Sequence, residues 1–568
     1  MFFPHLVSGR RKLWMAWTSC SYALVALLYL IDARAPFAQG TPGPVVTIAN
    51  GKVQGRLLPA PGGAVFKGIP YAAPPIGDMR WREPQPVKPW SGVLQVGEFR
   101  TGCGQNAPNG ANGAKATVED CLYLNVWAPE WPAGAKKPVM FWINGGELAG
   151  GSGALKSGAE SLARHGVILV SANYRGTPLG MMGHPELTAE SPHHASANYG
   201  ILDEIAVLKW IHENIASFGG DPGNVTVFGQ SGGSHLISML LATPQTKGLI
   251  HRAILHSGAP MQSIRPYLTL KQLEQIGIAT GEVLTAPSTG TIKYLRGLPA
   301  SEIVAAMPAV RTQLLDTTGQ AYDEGTDGYA IPRPPNEVWS AHEELPVPVM
   351  IGSTAHDTTV AIAGEEPLNA NASPEEVAAW EKRLLELFYG KDPDLLKQAM
   401  KIYGLLGSPN EISNYPPYGS PVLQLTVDLN HRCSSAMSAA LHSTVAPTWQ
   451  FEFTRTTPGH LPSHGSELRY IFGYDDLEDA DSRKQSDIMQ QYWTNFAKTG
   501  DPNGPGLPVW PKYNTTAKQS MEFATEGPIE RTANRAVACA PYIEKYTRHP
   551  KLLSNGDNLR VRGTGGAR

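Results

Sequence analysis

Ser231 is the residue whose neighbours best suit it to act as a nucleophile. It lies in the stretch FGQSGGSHL, between the apolar runs NVTVFG and HLISMLL. The glycines of this stretch permit a tight turn from a strand into a helix, and such a turn exposes the serine hydroxyl at its tip. The N–H of Gly232 and the helix N-terminus would then face a developing oxyanion. The pattern predicts nucleophilic catalysis; the alternative is a glycine turn with an incidental serine.

A nucleophilic serine needs a base, and the base needs a carboxylate that orients it. His464, in the late polar loop SHGSELRYIFG, is the best candidate among sixteen histidines, because the histidine comes last in a fold with this turn. Asp357 follows the apolar run VPVMIGS, and catalytic groups collect where parallel strands end. Glu324 and Asp327 are the alternatives for the acid.

Apolar runs and a helical pattern alternate through the middle of the chain. KPVMFWING, GVILVSANYR, NVTVFG, RAILHSG and VPVMIGS are continuous apolar runs, which are typical of strands buried on both faces of a parallel sheet. Residues 200–219 carry apolar residues at steps of three and four, as in an amphipathic helix. Residues 373–407 are predicted to be helical and to cover one end of the sheet. The fold class is therefore α/β.

The first 38 residues read as an export signal. Arg10, Arg11 and Lys12 precede the apolar stretch 13–31, and small residues and prolines follow it. We expect cleavage near Ala35 or Ala38, which leaves residues 39–568 as a single domain that is secreted or periplasmic. The alternative is an uncleaved anchor, since the apolar stretch is almost long enough to span a bilayer.

Charge and cysteine content narrow the function further. The net charge is −3, which gives no reason to expect a nucleic-acid partner. Four cysteines remain after the signal, and an even number in an exported chain suggests two disulfides in one of three pairings. No pattern calls for a cofactor or a metal, and the oligomeric state does not follow from the sequence.

Several long motifs resemble the type-B carboxylesterase family, the cholinesterase-like branch of the α/β-hydrolases. They include FKGIPYAAPPIGDMRW, EDCLYLNVWAP, NYGILDEIAVLKWIHENIASFGGDPGNVTVFGQSGG and HGSELRYIFG. The resemblance implies a large, mostly parallel sheet flanked by helices with helical cap insertions. It also implies ester hydrolysis through an acyl-enzyme, with Ser231 as nucleophile, His464 as base and Asp357 as acid. The family most often has glutamate at the acid position. Ser257 resembles a serine that lies near the acid and the base.

The oxyanion loop departs further from the family. The stretch MFWINGGELAGGSG by itself predicts a second donor loop that begins with Asn144, Gly145 and Gly146. The family pattern implies that the donors are the N–H groups of Gly146, Glu147 and Gly232. Glu147 replaces a glycine there. Its carboxylate either turns to solvent or places negative charge beside the oxyanion.

The resemblance also implies two disulfides and two structural ion pairs: Cys103–Cys121, Cys433–Cys539, Arg80–Glu119 and Arg175–Asp221. The loop closed by the first bridge contains no aromatic residue that could bind the quaternary ammonium of a choline ester. It also has no long amphipathic lid of the kind that lipases use at a lipid surface. A soluble carboxylic ester is therefore the expected small-molecule partner. The alternative function is that of a catalytically silent adhesion or binding protein, as in some members of the family.

Overall fold

A sheet of eleven strands runs through the part of the chain that the computed structural model describes. The described residues are 43–59, 62–104, 118–134, 136–146, 152–155, 157–262, 267–314, 322, 324–357, 372–407, 411–412, 415–477 and 479–553. Those from Pro44 onward belong to one compact unit. The predicted signal, residues 1–38, lies outside them.

The described residues contain sixteen strands. They are β1 (Val45–Ile48), β2 (Gly51–Gln54), β3 (Arg56–Leu57), β4 (Ala64–Pro70), β5 (Val93–Gln95), β6 (Tyr123–Ala128), β7 (Lys137–Ile143), β8 (Ile168–Ala172), β9 (Gly220–Gln230), β10 (Arg252–His256), β11 (Leu268–Thr269), β12 (Gly325–Thr326), β13 (Val349–Thr354), β14 (Thr448–Phe453), β15 (Gln519–Ala524) and β16 (Gly527–Thr532). The five predicted apolar runs form β7, β8, β9, β10 and β13. The order in the large sheet is β16-β15-β14-β13-β10-β9-β7-β8-β6-β4-β3.

The middle of this sheet is parallel and its two ends are antiparallel. β8, β7, β9, β10, β13, β14 and β15 pair in parallel. β6, β4 and β3 at one end and β16 at the other pair antiparallel. The carboxyl ends of the parallel strands therefore meet at one edge, where loops from several strands can combine into a site.

Helices cover both faces of the sheet. Within the described residues the α-helices are Ala159–Ala163, Thr177–Gly180, Pro185–Glu190, Tyr199–Asn214, Gly232–Ala242, Leu270–Val283, Thr291–Gly297, Ala300–Ala305, Met307–Leu314, Pro335–Ser340, Pro374–Tyr389, Pro393–Ile402, Pro421–Val427, Cys433–His442, Leu468–Phe472, Ala480–Thr499 and Ala536–Arg548. Ser373 caps Pro374–Tyr389 in a capping box with Glu376. Among the described residues, no helix is both long and apolar enough to cross a bilayer.

Alternate residues of the central strands enter two different cores. On β7, Phe141 and Ile143 belong to one buried cluster, and Trp142 belongs to the other. The Trp142 ring lies 5.0 Å from the Phe228 ring and 5.0 Å from the Phe472 ring, centroid to centroid. Full burial of a side chain such as Phe228 stabilises the fold by about 1.5–3 kcal/mol. Burial on both faces explains why these strands are continuously apolar.

Candidate active site

Ser231 forms a strained turn between β9 and the helix Gly232–Ala242. Its φ is 57° and its ψ is −125°, a conformation that is rare for a residue with a side chain and costs on the order of 1–3 kcal/mol. The N–H of Ser231 donates to the carbonyl oxygen of His256 at 2.9 Å, and its own carbonyl accepts from the N–H of His235 at 3.0 Å. The predicted strand–turn–helix arrangement is present, with the serine at its tip.

The glycines of this turn are required by close backbone contacts. A Cβ at Gly233 would lie 2.1 Å from the carbonyl oxygen of Ile143. A Cβ at Gly229 would lie 2.7 Å from the same oxygen. Real Cβ atoms do not approach a carbonyl this closely. Only glycine therefore lets the turn at Ser231, which we call the elbow, pack against the end of β7.

Asp357 and His464 are in contact at the carboxyl edge of the sheet. Nδ1 of His464 pairs with Oδ1 of Asp357. The Asp357 side chain is fully buried, whereas the His464 side chain is 17% exposed. The N–H of Thr354 donates to Oδ2 of Asp357 at 3.0 Å, which fixes the carboxylate from behind. This contact engages Nδ1, so Nε2 is the imidazole nitrogen that points away from the carboxylate.

The surroundings of Asp357 favour its charged form. Burial alone would raise the pKa of this carboxyl, but His431, His464 and the Ser257 hydroxyl together hold the pKa well below its ordinary value. A carboxylate that stays ionised can stabilise a positive charge on His464. Of the other two candidate acids, Asp327 is used for structure: its Oδ1 accepts the N–H groups of Tyr329 and Ile331, each at 2.9 Å.

Gln230 contacts His464, and sequence reasoning missed this contact. Its Nε2 lies 2.9 Å from Nε2 of His464, and it directly precedes Ser231. The Gln230 side chain therefore links His464 to the strand end that carries Ser231. Its place as the last residue of β9 is the one signal in the sequence that could have found it.

His431 is a second histidine beside Asp357, and sequence reasoning also missed it. Its Nε2 lies 3.9 Å from Oδ1 of Asp357, and its ring centroid lies 5.5 Å from that of His464. These three side chains place one possible metal ligand each within 4.8 Å of one another. A metal ion bound there would displace the proton between Asp357 and His464, so the cluster suits acid–base chemistry or metal binding, but not both at once. The sequence-based expectation that no metal is needed stays a prediction.

The predicted oxyanion loop packs directly against the elbow. A Cβ at Gly145 would lie 2.3 Å from the carbonyl oxygen of Gln230, so the loop backbone approaches the residue before Ser231 closely. The Tyr174 hydroxyl donates to the carbonyl oxygen of Asn144 at 2.8 Å and fixes the start of the loop. Gly146 has a φ of 120°. Glu147 lies outside the described residues.

One predicted ion pair is wrong. Arg175 pairs with Asp203, with 2.7 Å between Nη2 and Oδ1, and not with Asp221. Arg175 follows the carboxyl end of β8, whereas Asp221 is at the amino end of β9. Since both strands are parallel to β7, these ends lie at opposite edges of the sheet.

The other covalent and ionic pairs agree with the expectation. Arg80 pairs with Glu119, with 2.5 Å between Nε and Oε1. Both disulfides are present, Cys103–Cys121 and Cys433–Cys539. They close loops with sequence separations of 18 and 106 residues.

Known proteins resemble this chain over most of its length. The sequence model of the Carboxylesterase family matches residues 42–539. The chain belongs to the carboxylesterase family. It is 30% identical to Liver carboxylesterase 1 of Oryctolagus cuniculus, over 91% of this chain and 96% of that protein. It is 31% identical to Fumonisin B1 esterase of Sphingopyxis macrogoltabida, over 90% and 93% of the two chains.

Solved structures support the same assignment. A PNB esterase structure matches with a TM-score of 0.71 and 30% identity, covering 88% of this chain and all of the other. The fold is therefore that of the α/β-hydrolases, with a large mixed sheet flanked by helices. The chain is a carboxylic ester hydrolase that acts on small-molecule esters.

Proposed function

We propose that this carboxylesterase works through an acyl-enzyme on Ser231, with His464 as general base and Asp357 as the acid that orients it. The observation that carries the proposal is the buried contact between Asp357 and Nδ1 of His464, next to the strained turn at Ser231. Nε2 of the same imidazole lies 2.9 Å from the side chain of the residue that precedes the serine.

The reaction then divides into two half-reactions. The Ser231 hydroxyl oxygen attacks the ester carbonyl carbon while its proton moves to Nε2 of His464. The tetrahedral intermediate collapses, the C–O bond to the alcohol breaks, and His464 returns the proton to the leaving alcohol. Water then attacks the acyl-enzyme by the same route, which releases the carboxylic acid and restores Ser231. Asp357 stays ionised in this scheme, and the histidines and the serine hydroxyl around it, which lower its pKa, support that.

Backbone N–H groups supply the oxyanion hole in this proposal. Gly232 is the first residue of the elbow helix, where N–H groups have no partner within the helix. Gly146 contributes from the loop after β7, and the family pattern adds the N–H of Glu147, which lies outside the described residues. Loss of one such donor costs about 3–4 kcal/mol of barrier in comparable sites.

Glu147 gives a testable prediction. A carboxylate a few ångströms from the oxyanion raises the barrier by about 1–4 kcal/mol at intermediate dielectric. We expect Glu147→Gly to retain catalysis and to raise kcat/KM on small neutral esters by about tenfold, since about 1.4 kcal/mol corresponds to that factor. The matched control is Glu147→Gln, which keeps the size and removes the charge. Equal rates in all three enzymes would show that the side chain does not act on the oxyanion. An inactive but folded Glu147→Gly would show that the loop is assigned wrongly.

The proposed substrates are soluble esters. A substrate panel distinguishes soluble esters from choline esters and lipid substrates. It contains p-nitrophenyl esters of increasing acyl length, a choline ester, an emulsified triglyceride and fumonisin B1. Fumonisin B1 is included because one relative is named for it. We expect turnover of soluble neutral esters, with the choline ester and the emulsion the poorest substrates. Preference for either of those two would overturn this assignment.

We further propose export, with residues 1–38 removed and residues 39–568 as the mature domain. The basic residues at 10–12 and the apolar stretch 13–31 support this. N-terminal sequencing of the secreted or periplasmic protein should give a start after Ala35 or Ala38. An intact N-terminus in the membrane fraction would instead identify an anchor.

A further inference from the structure

A buried histidine lies directly beneath the elbow. His256 is the last residue of β10, and its side chain is fully buried. Its carbonyl oxygen accepts the N–H of Ser231 at 2.9 Å. The next residue, Ser257, faces the Asp357 carboxylate. The end of β10 therefore touches both the segment that carries the proposed nucleophile and the residue proposed as the acid.

Trp493 determines which nitrogen of His256 carries a proton. Nε1 of Trp493 lies 3.1 Å from Nε2 of His256, and an indole N–H can only donate. Nε2 of His256 must accept this bond, so the neutral ring carries its proton on Nδ1. The rings of Trp493 and Phe451 pack against the imidazole, with centroids 5.5 Å and 5.1 Å away, and keep it dry.

The protonated nitrogen faces Glu467. Nδ1 of His256 lies 3.3 Å from Oε1 of Glu467, and both side chains are buried. Among the described residues, neither Nδ1 nor either carboxylate oxygen has a hydrogen-bond partner. Burial of a carboxylate that has no hydrogen-bond partner costs free energy of folding. The approach of His256 Nδ1 offsets part of this cost, so it favours the observed position of the Glu467 side chain.

Glu467 is attached to the loop that carries the base. It lies three residues after His464 and immediately before the helix Leu468–Phe472. Its carbonyl oxygen accepts the N–H groups of Tyr470 and Ile471 at 3.0 and 3.1 Å, so the side chain moves with that helix. A displacement of Glu467 would therefore move the His464 loop relative to the elbow.

We infer that His256 is a positioning residue: it holds Ser231 through its backbone and, through Glu467, sets the place of the His464 loop. The inference rests on the proposed roles of Ser231 and His464. A displacement of about 1 Å between reacting groups can cost on the order of 100-fold in rate. We expect His256→Leu to lower kcat by about 10- to 100-fold with KM within about threefold, since substrate contacts are unchanged.

The conservative variant distinguishes positioning from packing. In His256→Gln, the amide oxygen can accept from Trp493 and the amide N–H can face Glu467, as Nδ1 of the neutral imidazole does at 3.3 Å. This variant should restore kcat to within about threefold of the wild type. If His256→Leu does not fold, His256→Asn serves in its place, because its shorter amide cannot reach both partners; its kcat should fall by about tenfold or more.

A matched control exists elsewhere in the fold. His442 is fully buried against Glu344, with 2.7 Å between Nδ1 and Oε1, and its ring lies 5.0 Å from that of Trp339. It contacts Val347, before β13, at the opposite edge from Asp357. His442→Leu should lower Tm as His256→Leu does, yet leave kcat within about twofold well below Tm.

The experiment measures kcat, KM and Tm of these variants on a soluble p-nitrophenyl ester. A fall in kcat confined to the His256 variants, and rescued by His256→Gln, supports the inference. Equal kcat in His256→Leu and His442→Leu would overturn it, as would a folded His256→Gln with no rescue. Organophosphate labelling of Ser231 in the wild type separates the two levels: if labelling succeeds and the His256 variants keep full kcat, only the positioning role fails.

Discussion

Replacing Ser231 with alanine is expected to lower kcat by about 10⁴- to 10⁶-fold, with little change in Tm. The hydroxyl is the proposed nucleophile. The positive φ of Ser231 is a property of the backbone turn, so removal of the hydroxyl should not change it. Alanine keeps the same Cβ, so the elbow and its bond to His256 should survive. The measurement is steady-state hydrolysis of a soluble ester, with Tm recorded for each protein.

The control for this variant is Ser238→Ala on the same helix. Ser238 is fully buried, and its hydroxyl donates only to a backbone carbonyl, that of Ser234 at 3.2 Å. Its loss should leave kcat within about threefold, because the helix remains intact. Appreciable esterase activity in a folded Ser231→Ala would mean that another group is the nucleophile.

Replacing Asp357 with asparagine should lower kcat by about 10⁴-fold. The N–H of Thr354 requires an acceptor at the position of Oδ2, so the new amide oxygen would face Thr354 and the NH₂ group would face His464. His464 would then have to accept at Nδ1 and carry its proton on Nε2, where it could no longer act as a base.

Asp327→Asn is the matched control for the acid. Asp327 is also buried and accepts two backbone N–H bonds, which an asparagine oxygen can keep. Its kcat should stay within about threefold of the wild type. Near-normal turnover in Asp357→Asn together with a large loss in Asp327→Asn would move the role of the acid to Asp327.

The sequence was informative wherever a residue's role follows from its place on a strand. β9 and β13 are continuous apolar runs, so the sequence shows where each strand ends. Ser231 and Asp357 follow these two carboxyl ends. The strained turn was predictable because Gly229 and Gly233 flank Ser231. Glycine at these positions permits the close backbone contact with Ile143 that the turn makes. Parallel pairing explains why the loops after β9, β13 and β14 meet.

Contacts between distant segments were not predictable in the same way. Gln230 and His431 reach the proposed base and acid across 234 and 74 residues of sequence. The end of β9 marks the position of Gln230 but not its contact with His464, and no local pattern marks His431. The error at Arg175 has the same origin. Its partner Asp203 is fully buried within the helix Tyr199–Asn214, whereas Asp221 lies at the other edge of the sheet. Such pairs depend on how elements pack, and periodicity alone does not give the packing.

Labelling with a fluorophosphonate, followed by intact mass and peptide mapping, tests whether Ser231 is the nucleophile that His464 and Asp357 activate. We expect one adduct per chain on Ser231 in the wild type, much slower labelling in Asp357→Asn, and none in Ser231→Ala. If the wild-type enzyme hydrolyses esters but carries no adduct, or carries it on another residue, Ser231 is not the nucleophile.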